Sequence, residues 1–168
     1  LDPFWATNKR GGKKNNDGNW TRTLGKEQFD WLKTTLESSK AKFKFVFIHH
    51  LVGGLDDSAR GGSEAAALYE WGGKGKDGKD EFKARRPGWE MPIHQLLARH
   101  KVAAVFHGHD HLYAKQVLDG IVYQCVPQPG DPKSGRETYS YRQGVILPSS
   151  GYLRVTMTGR TARVEYVR

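Results

Sequence analysis

At 168 residues, with 37% hydrophobic and 27% charged residues, the chain has the composition of one globular domain with a single sizeable core. No apolar run is long enough to span a bilayer, and the single Cys125 excludes an internal disulfide while leaving the redox compartment open. The net charge of +9 favours anionic partners such as phosphate esters; the basic residues are scattered, without a dense tract of interleaved aromatics, which speaks against a nucleic-acid surface.

Residues 1–22 are polar and rich in Gly, Asn and Lys. They read as an irregular N-terminal segment, anchored by Phe4, Trp5 and Trp20, ahead of one domain over 23–168. Leu1-Asp2-Pro3-Phe4-Trp5 has neither a basic start with an apolar core nor an initiator Met. The expectation is therefore a fragment or processed chain without a signal peptide of its own. Gly25 to Ser38 predicts an amphipathic helix: Phe29, Leu32 and Leu36 fall on one stripe with Trp31 beside it, while Lys26, Glu27, Lys33 and Glu37 face water. Phe43 to Ile48 is aromatic and β-branched and reads as a largely buried strand that ends in His49-His50.

Residues 51–90 form a long connection punctuated by Gly53-Gly54, Gly61-Gly62 and Gly72-Gly73. Ser63 to Trp71 reads as a short helix capped by Ser63, and Lys74 to Lys83 as a mobile stretch. A connection this long inside a compact domain is usually functional. Arg60, Arg85 and Arg86 are accordingly candidate phosphate clamps, and Glu70-Trp71-Gly72-Gly73 a candidate substrate wall. Met91 to His100 predicts a helix with Pro92 in its first turn and Ile93, Leu96 and Leu97 inward; His94 and His100 read as solvent-facing or structural.

Val102 to Phe106 is an apolar run that reads as a buried strand. Leu112 to Val117 and Ile121 to Val126, joined at Asp119-Gly120, predict a hairpin. Residues 127–143 read as a second loop. Tyr152 to Met157 and Thr161 to Val167 read as a closing hairpin. Cys125 falls in a strand and is expected in the core. Helix, strand, helix, strand, then hairpins imply an α/β layer whose sheet continues as antiparallel strands.

Five of the seven histidines sit at the ends of the two apolar strands: His49 and His50 after the first, His107, His109 and His111 after the second. Neutral imidazoles on a rigid strand end suit zinc, iron or manganese. If the two strands are neighbours, both ends open on one edge, where open α/β sheets place their sites. The pattern predicts a metal site, with Asp110 as a group that orients a ligand.

Gly108-His109-Asp110-His111, with a preceding strand that ends in His49, resembles the calcineurin-like metallophosphoesterase family, which includes the purple acid phosphatases. Leu24-Gly25-Lys26-Glu27-Gln28-Phe29-Asp30-Trp31-Leu32 and Gly151-Tyr152-Leu153-Arg154-Val155 support the resemblance, which spans roughly residues 20–168. It implies an α/β fold that is half of an α/β/β/α sandwich, a mixed sheet with C-terminal antiparallel hairpins. It implies a dinuclear metal centre in the parent domain, with His49 and His109 on one ion and His111 on the other. It implies hydrolysis of phosphoric mono- or diesters by metal-bound hydroxide. His50, Arg85 and Arg86 are the candidate substrate-binding residues. Secreted bacterial relatives point to export. Three motifs of the family's first half, Asp-x-His, Gly-Asp-x-x-Asp and Gly-Asn-His-Asp/Glu, do not occur: Gly130-Asp131 runs into Pro132-Lys133-Ser134, and Gly18-Asn19 into Trp20. The expectation is an impaired centre and a sheet face left uncovered, open to self-association. The rival expectations are a non-catalytic metal-binding or interaction domain, and a basic nucleic-acid-binding domain.

Overall fold

The computed structural model of the chain describes residues 1–7, 18–55, 59–130, 140–147 and 150–168. The apolar stripe does form a helix, α1 at Lys26–Ser38, which buries Phe29, Leu32 and Leu36. The first strand, β1, is Phe45–Ile48. Three short helices follow, α2 at Tyr69–Gly72, α3 at Phe82–Arg85 and α4 at Ile93–Arg99. Then come β2 at Ala104–His107, β3 at Tyr113–Leu118, β4 at Ile121–Cys125, β5 at Val145–Leu147, β6 at Tyr152–Met157 and β7 at Ala162–Val167.

Five strands make one mixed sheet in the order β1-β2-β4-β3-β5. β1, β2 and β4 run parallel, and β3 is antiparallel to both β4 and β5. The β3–β4 hairpin turns on Asp119 (φ 49) and Gly120 (φ 78), the two successive positive dihedrals that a tight hairpin turn requires. β6 and β7 form a separate two-stranded sheet. The chain is thus α/β with a mixed sheet, as its pattern predicts.

Register assigns the faces, because side chains directly opposite in a ladder share one. Val46, Ile48, Val105, Ile121 and Tyr123 join Leu32, Leu36, Ile93, Leu96 and Leu97 in the main core under α1 and α4. Ile48 pairs with His107 and His107 with Cys125, so both His107 and Cys125 lie on this covered face. On the other face the ladder runs Phe47, Phe106, Gln124, Lys115, Val145. There Phe47 is 61% exposed, and Val117 and Val145 are exposed as well. The first strand is therefore buried on one side only. Alternation dominates it because helices cover a single face.

Several elements differ from the pattern's expectation. The Ser63 to Trp71 stretch is helical only from Tyr69, and no side chain caps α2. The Ser63 Oγ instead accepts from Gln143 Nε2 at 2.9 Å, so the would-be cap is spent outside the helix, while its amide donates to Gln116 Oε1 on β3 at 2.9 Å. Lys74 to Lys83 is laid down by bridges from Lys74 to Leu68 and Asp80. Pro92 is the N-cap of α4 and stands outside its first turn. β5 was not foreseen; Val145-Ile146-Leu147 is a three-residue apolar run, too short for periodicity to register. Phe4 and Trp5 are exposed, whereas Trp20 is buried. The Pro, Gly and Ser loop falls largely on residues 131–139, outside the described residues. Among the described residues no helix is long and apolar enough to cross a membrane.

Glu70 and Trp71 belong to the core, which corrects their reading as a substrate wall: both are fully buried. Trp71 Nε1 donates to the Tyr123 hydroxyl at 2.9 Å, and that oxygen meets His94 Nδ1 at 2.7 Å. His94 Nε2 lies 2.9 Å from Asp119 Oδ2. With the indole as donor, Tyr123 donates to His94, whose Nε2–H then faces Asp119. Trp71→Ala removes the largest fully buried side chain and one end of this chain of bonds. Chemical denaturation should show a loss of about 3–5 kcal/mol, with the fold retained only if the parent stability exceeds that figure.

Candidate metal centre

The parallel pairing of β1 and β2 places both strand ends on one edge of the sheet. Pairing extends one residue past the strands, where Gly108 N donates to His49 O at 2.9 Å. His49 follows Phe47 by two residues and by alternation shares its open face. His109 comes back over it: His49 Nε2 and His109 Nδ1 are 3.2 Å apart, with ring centroids 5.3 Å apart. The His50 ring completes a cluster, 5.5 Å from His49 and 5.6 Å from His109. Phe4 packs edge-on against His50 at 5.2 Å and tilts over His49 at 5.9 Å.

The turn that carries His109 is strained and locked. His109 (φ 77) and His111 (φ 54) are both left-handed, a conformation that costs on the order of 1 kcal/mol for a non-glycine residue. Asp110, between them, is buried and acts as the lock. Its Oδ1 accepts from Arg60 N at 3.0 Å, and its Oδ2 accepts from Gly61 N at 2.8 Å and from the Tyr141 hydroxyl at 2.8 Å. Gly61 reaches that carboxylate at φ +67, where a Cβ would also meet Leu55 Cδ1 at 2.6 Å. Beside Asp110, burial pushes the Tyr141 hydroxyl up, and burial likewise pushes the Cys125 thiol up to about 12. Cys125 is therefore an inert core residue.

Burial sets the protonation of the imidazoles. His50 is held down to about 4, first by desolvation. Its Nδ1 lies 3.0 Å from Leu51 O, so Nδ1 carries the proton and Nε2 is the unprotonated nitrogen. His107, fully buried on the covered face, is also held down to about 4 by desolvation. Neither of its ring nitrogens has a hydrogen-bond partner among the described residues. His109 is lowered by desolvation and then by the positive charge of Arg60. Neutral imidazoles are the form that binds metal.

Two of the three expected ligands are brought together. His111 is exposed, and its influence on His109 is electrostatic. Among the described residues no group of three or more His, Cys, Asp or Glu side chains is placed to hold a metal ion. The two ring nitrogens are at hydrogen-bond distance, one ring donating to the other, and that spacing resembles the one two imidazoles take on a single ion. Two imidazole nitrogens each about 2.0–2.1 Å from zinc at the tetrahedral angle are about 3.3–3.4 Å apart, close to the 3.2 Å observed.

The arginines divide differently from expectation. Arg86 Nε pairs with Glu70 Oε2 at 2.5 Å, and its Nη2 donates to the carbonyls of Trp20 at 2.7 Å and Arg22 at 3.1 Å. Its guanidinium also lies over the Trp20 and Trp89 rings. Arg86 thus anchors the core, tying Glu70 to the carbonyls of Trp20 and Arg22. Burial pushes the Glu70 carboxyl upward even with Arg86 beside it. Arg85 pairs with Glu81 at 3.2 Å along α3. Arg60 is the arginine whose charge reaches His50 and His109. Its signal in the sequence is its neighbour Gly61, which lets the loop close on Asp110.

Compared with protein-family models and with curated protein sequences, the chain matches none.

The pH dependence of stability follows from the two buried imidazoles. Both fold with their values lowered from 6.5 to about 4, so between those limits the unfolded chain binds protons that the folded chain refuses. Stability is therefore full above pH 6.5 and falls as pH drops toward 4, by on the order of 3 kcal/mol per histidine. Urea midpoints measured from pH 7 to pH 4.5 should fall steeply, and His107→Val should flatten the slope without lowering stability at pH 7.

Proposed function

We propose that this chain carries the imidazole half-site of a metal-dependent hydrolase of phosphoric mono- or diesters. The observation that supports it most is the approach of His49 Nε2 to His109 Nδ1, 3.2 Å apart at paired strand ends and on a turn locked by Asp110. The Gly108-His109-Asp110-His111 motif and its resemblance to the metallophosphoesterases supply the reaction class. The net charge of +9 and the nearby Arg60 suit an anionic ester.

In this reading His49 and His109 hold one zinc, iron or manganese ion through those two nitrogens. Once bound, the ion supplies an activated water and neutralises charge on the ester. Asp110 keeps the His109 ring aimed at His49 by holding the turn. His50 packs behind the pair as a neutral ring, and Phe4 limits the access of water. A second ion at His111 would need donors beyond the described residues. The chain alone is therefore a poor catalyst.

The open sheet face is the second part of the proposal. Phe47, Val117 and Val145 on one exposed face are a surface for self-association. Sedimentation should show a concentration-dependent shift that Phe47→Lys removes; a monomer at all concentrations contradicts it.

Calorimetric titration of zinc and manganese into the metal-free chain tests the centre. One ion should bind, and His109→Ala should lose it while the melting temperature of the metal-free protein stays within a few degrees. Unfolding of His109→Ala points to the non-catalytic, structural reading. Absence of binding by the wild type contradicts both. Hydrolysis of an aryl phosphate should remain weak; robust turnover by this chain overturns the half-site.

A further inference from the structure

A second place in the molecule carries the parts of a recognition site and none of the metal chemistry. A cleft of about 470 Å³ lies between the N-terminal segment and α1, lined by Leu1, Asp2, Trp5, Glu27, Gln28 and Trp31. Both indoles are largely in water, Trp5 at 66% and Trp31 at 59% exposure. Glu27 and Trp31 are four residues apart on α1 and so share a helix face.

The cleft is preformed. Gln28 clamps the segment to the helix: its Oε1 accepts from Asp2 N at 2.7 Å and its Nε2 donates to Asp2 O at 2.9 Å. Asp2 Oδ1 is taken by Phe4 N at 2.8 Å. The neighbouring Lys26 is paired with Asp30. Among the described residues no Lys or Arg side chain stacks on either indole of the cleft or forms an ion pair with Glu27.

The same chain shows what such a set holds when it is filled. In the core, two indoles and a carboxylate surround one cation: Arg86 lies 5.3 Å from the Trp20 ring centroid and 5.9 Å from that of Trp89, paired with Glu70. The surface cleft repeats that composition of two indoles and a carboxylate, with Trp5, Trp31 and Glu27. Tryptophan is the aromatic that attracts cations most strongly, and a carboxylate beside it adds the charge that selects a cation over a neutral apolar group. We propose that this cleft binds an organic ammonium group, with the indoles as its walls and Glu27 as its counter-charge.

Choline and its uncharged isostere 3,3-dimethylbutanol separate charge from shape. Each is titrated into the ¹⁵N-labelled full chain, and the indole N–H signals of the five tryptophans are followed. Choline should move the Trp5 and Trp31 signals and leave the buried Trp71 signal in place as the fold control. The isostere should bind about tenfold more weakly. Glu27→Gln should weaken choline several-fold without changing the isostere, and Trp31→Ala should abolish both responses. Equal binding of choline and isostere overturns the proposal in favour of an apolar groove. So does the absence of any Trp5 or Trp31 shift at millimolar choline.

Discussion

The parallel pairing of β1 with β2 is the constraint on which the site depends. Ile48 lies opposite His107, and the ladder runs on through Gly108 N to His49 O. A one-residue slip would carry His49 to the covered face and His107 to the open one, because side chains alternate with period two. The covered face fixes the register, since Val46, Ile48, Val105 and His107 must all enter the core beneath α1 and α4. The hydrophobic core thus decides which imidazoles meet, and the meeting of His49 with His109 follows from packing that has no chemistry of its own.

The second constraint is Asp110. One buried carboxylate gathers two backbone amides of the long connection and the Tyr141 hydroxyl. It thereby ties two separated stretches to the strained turn. Strain at His109 and His111 persists because these bonds over-determine the backbone. A little further along, Gln116 donates to both carboxylate oxygens of Glu64, whose Oε1 also accepts from Arg142 N. The same connection is thus fastened again beside β3. The loop over 51–90 acts as a brace for the site more than as a lid.

Much of the fold was legible in the sequence. The α1 stripe, the two apolar strands, the Asp119-Gly120 hairpin and the closing hairpin each carry a local periodicity or a turn signal. The convergence of the strand ends was legible too, once the strands were taken as neighbours. What was not legible depends on partners distant in the chain. The anchoring of Arg86 was not legible because its counter-ion, Glu70, is sixteen residues away and one of its indoles, Trp20, is sixty-six residues away. Phe47 looked buried because composition cannot say how many faces of a sheet are covered. The exposed position of His111 was not legible because spacing alone does not give the left-handed dihedrals of this turn. Gly61 held the one legible hint of how Arg60 reaches the site.

The central claim is that His49 Nε2 and His109 Nδ1 share an ion. Long-range ¹H–¹⁵N correlation of the histidine rings, recorded before and after one equivalent of zinc, reads each nitrogen separately. The expected result is a shift at His49 Nε2 and His109 Nδ1, with His50 and His107 unchanged as neutral core rings. Zinc shifts confined to His94, His100 or His111, or no shift at the paired nitrogens, would contradict it.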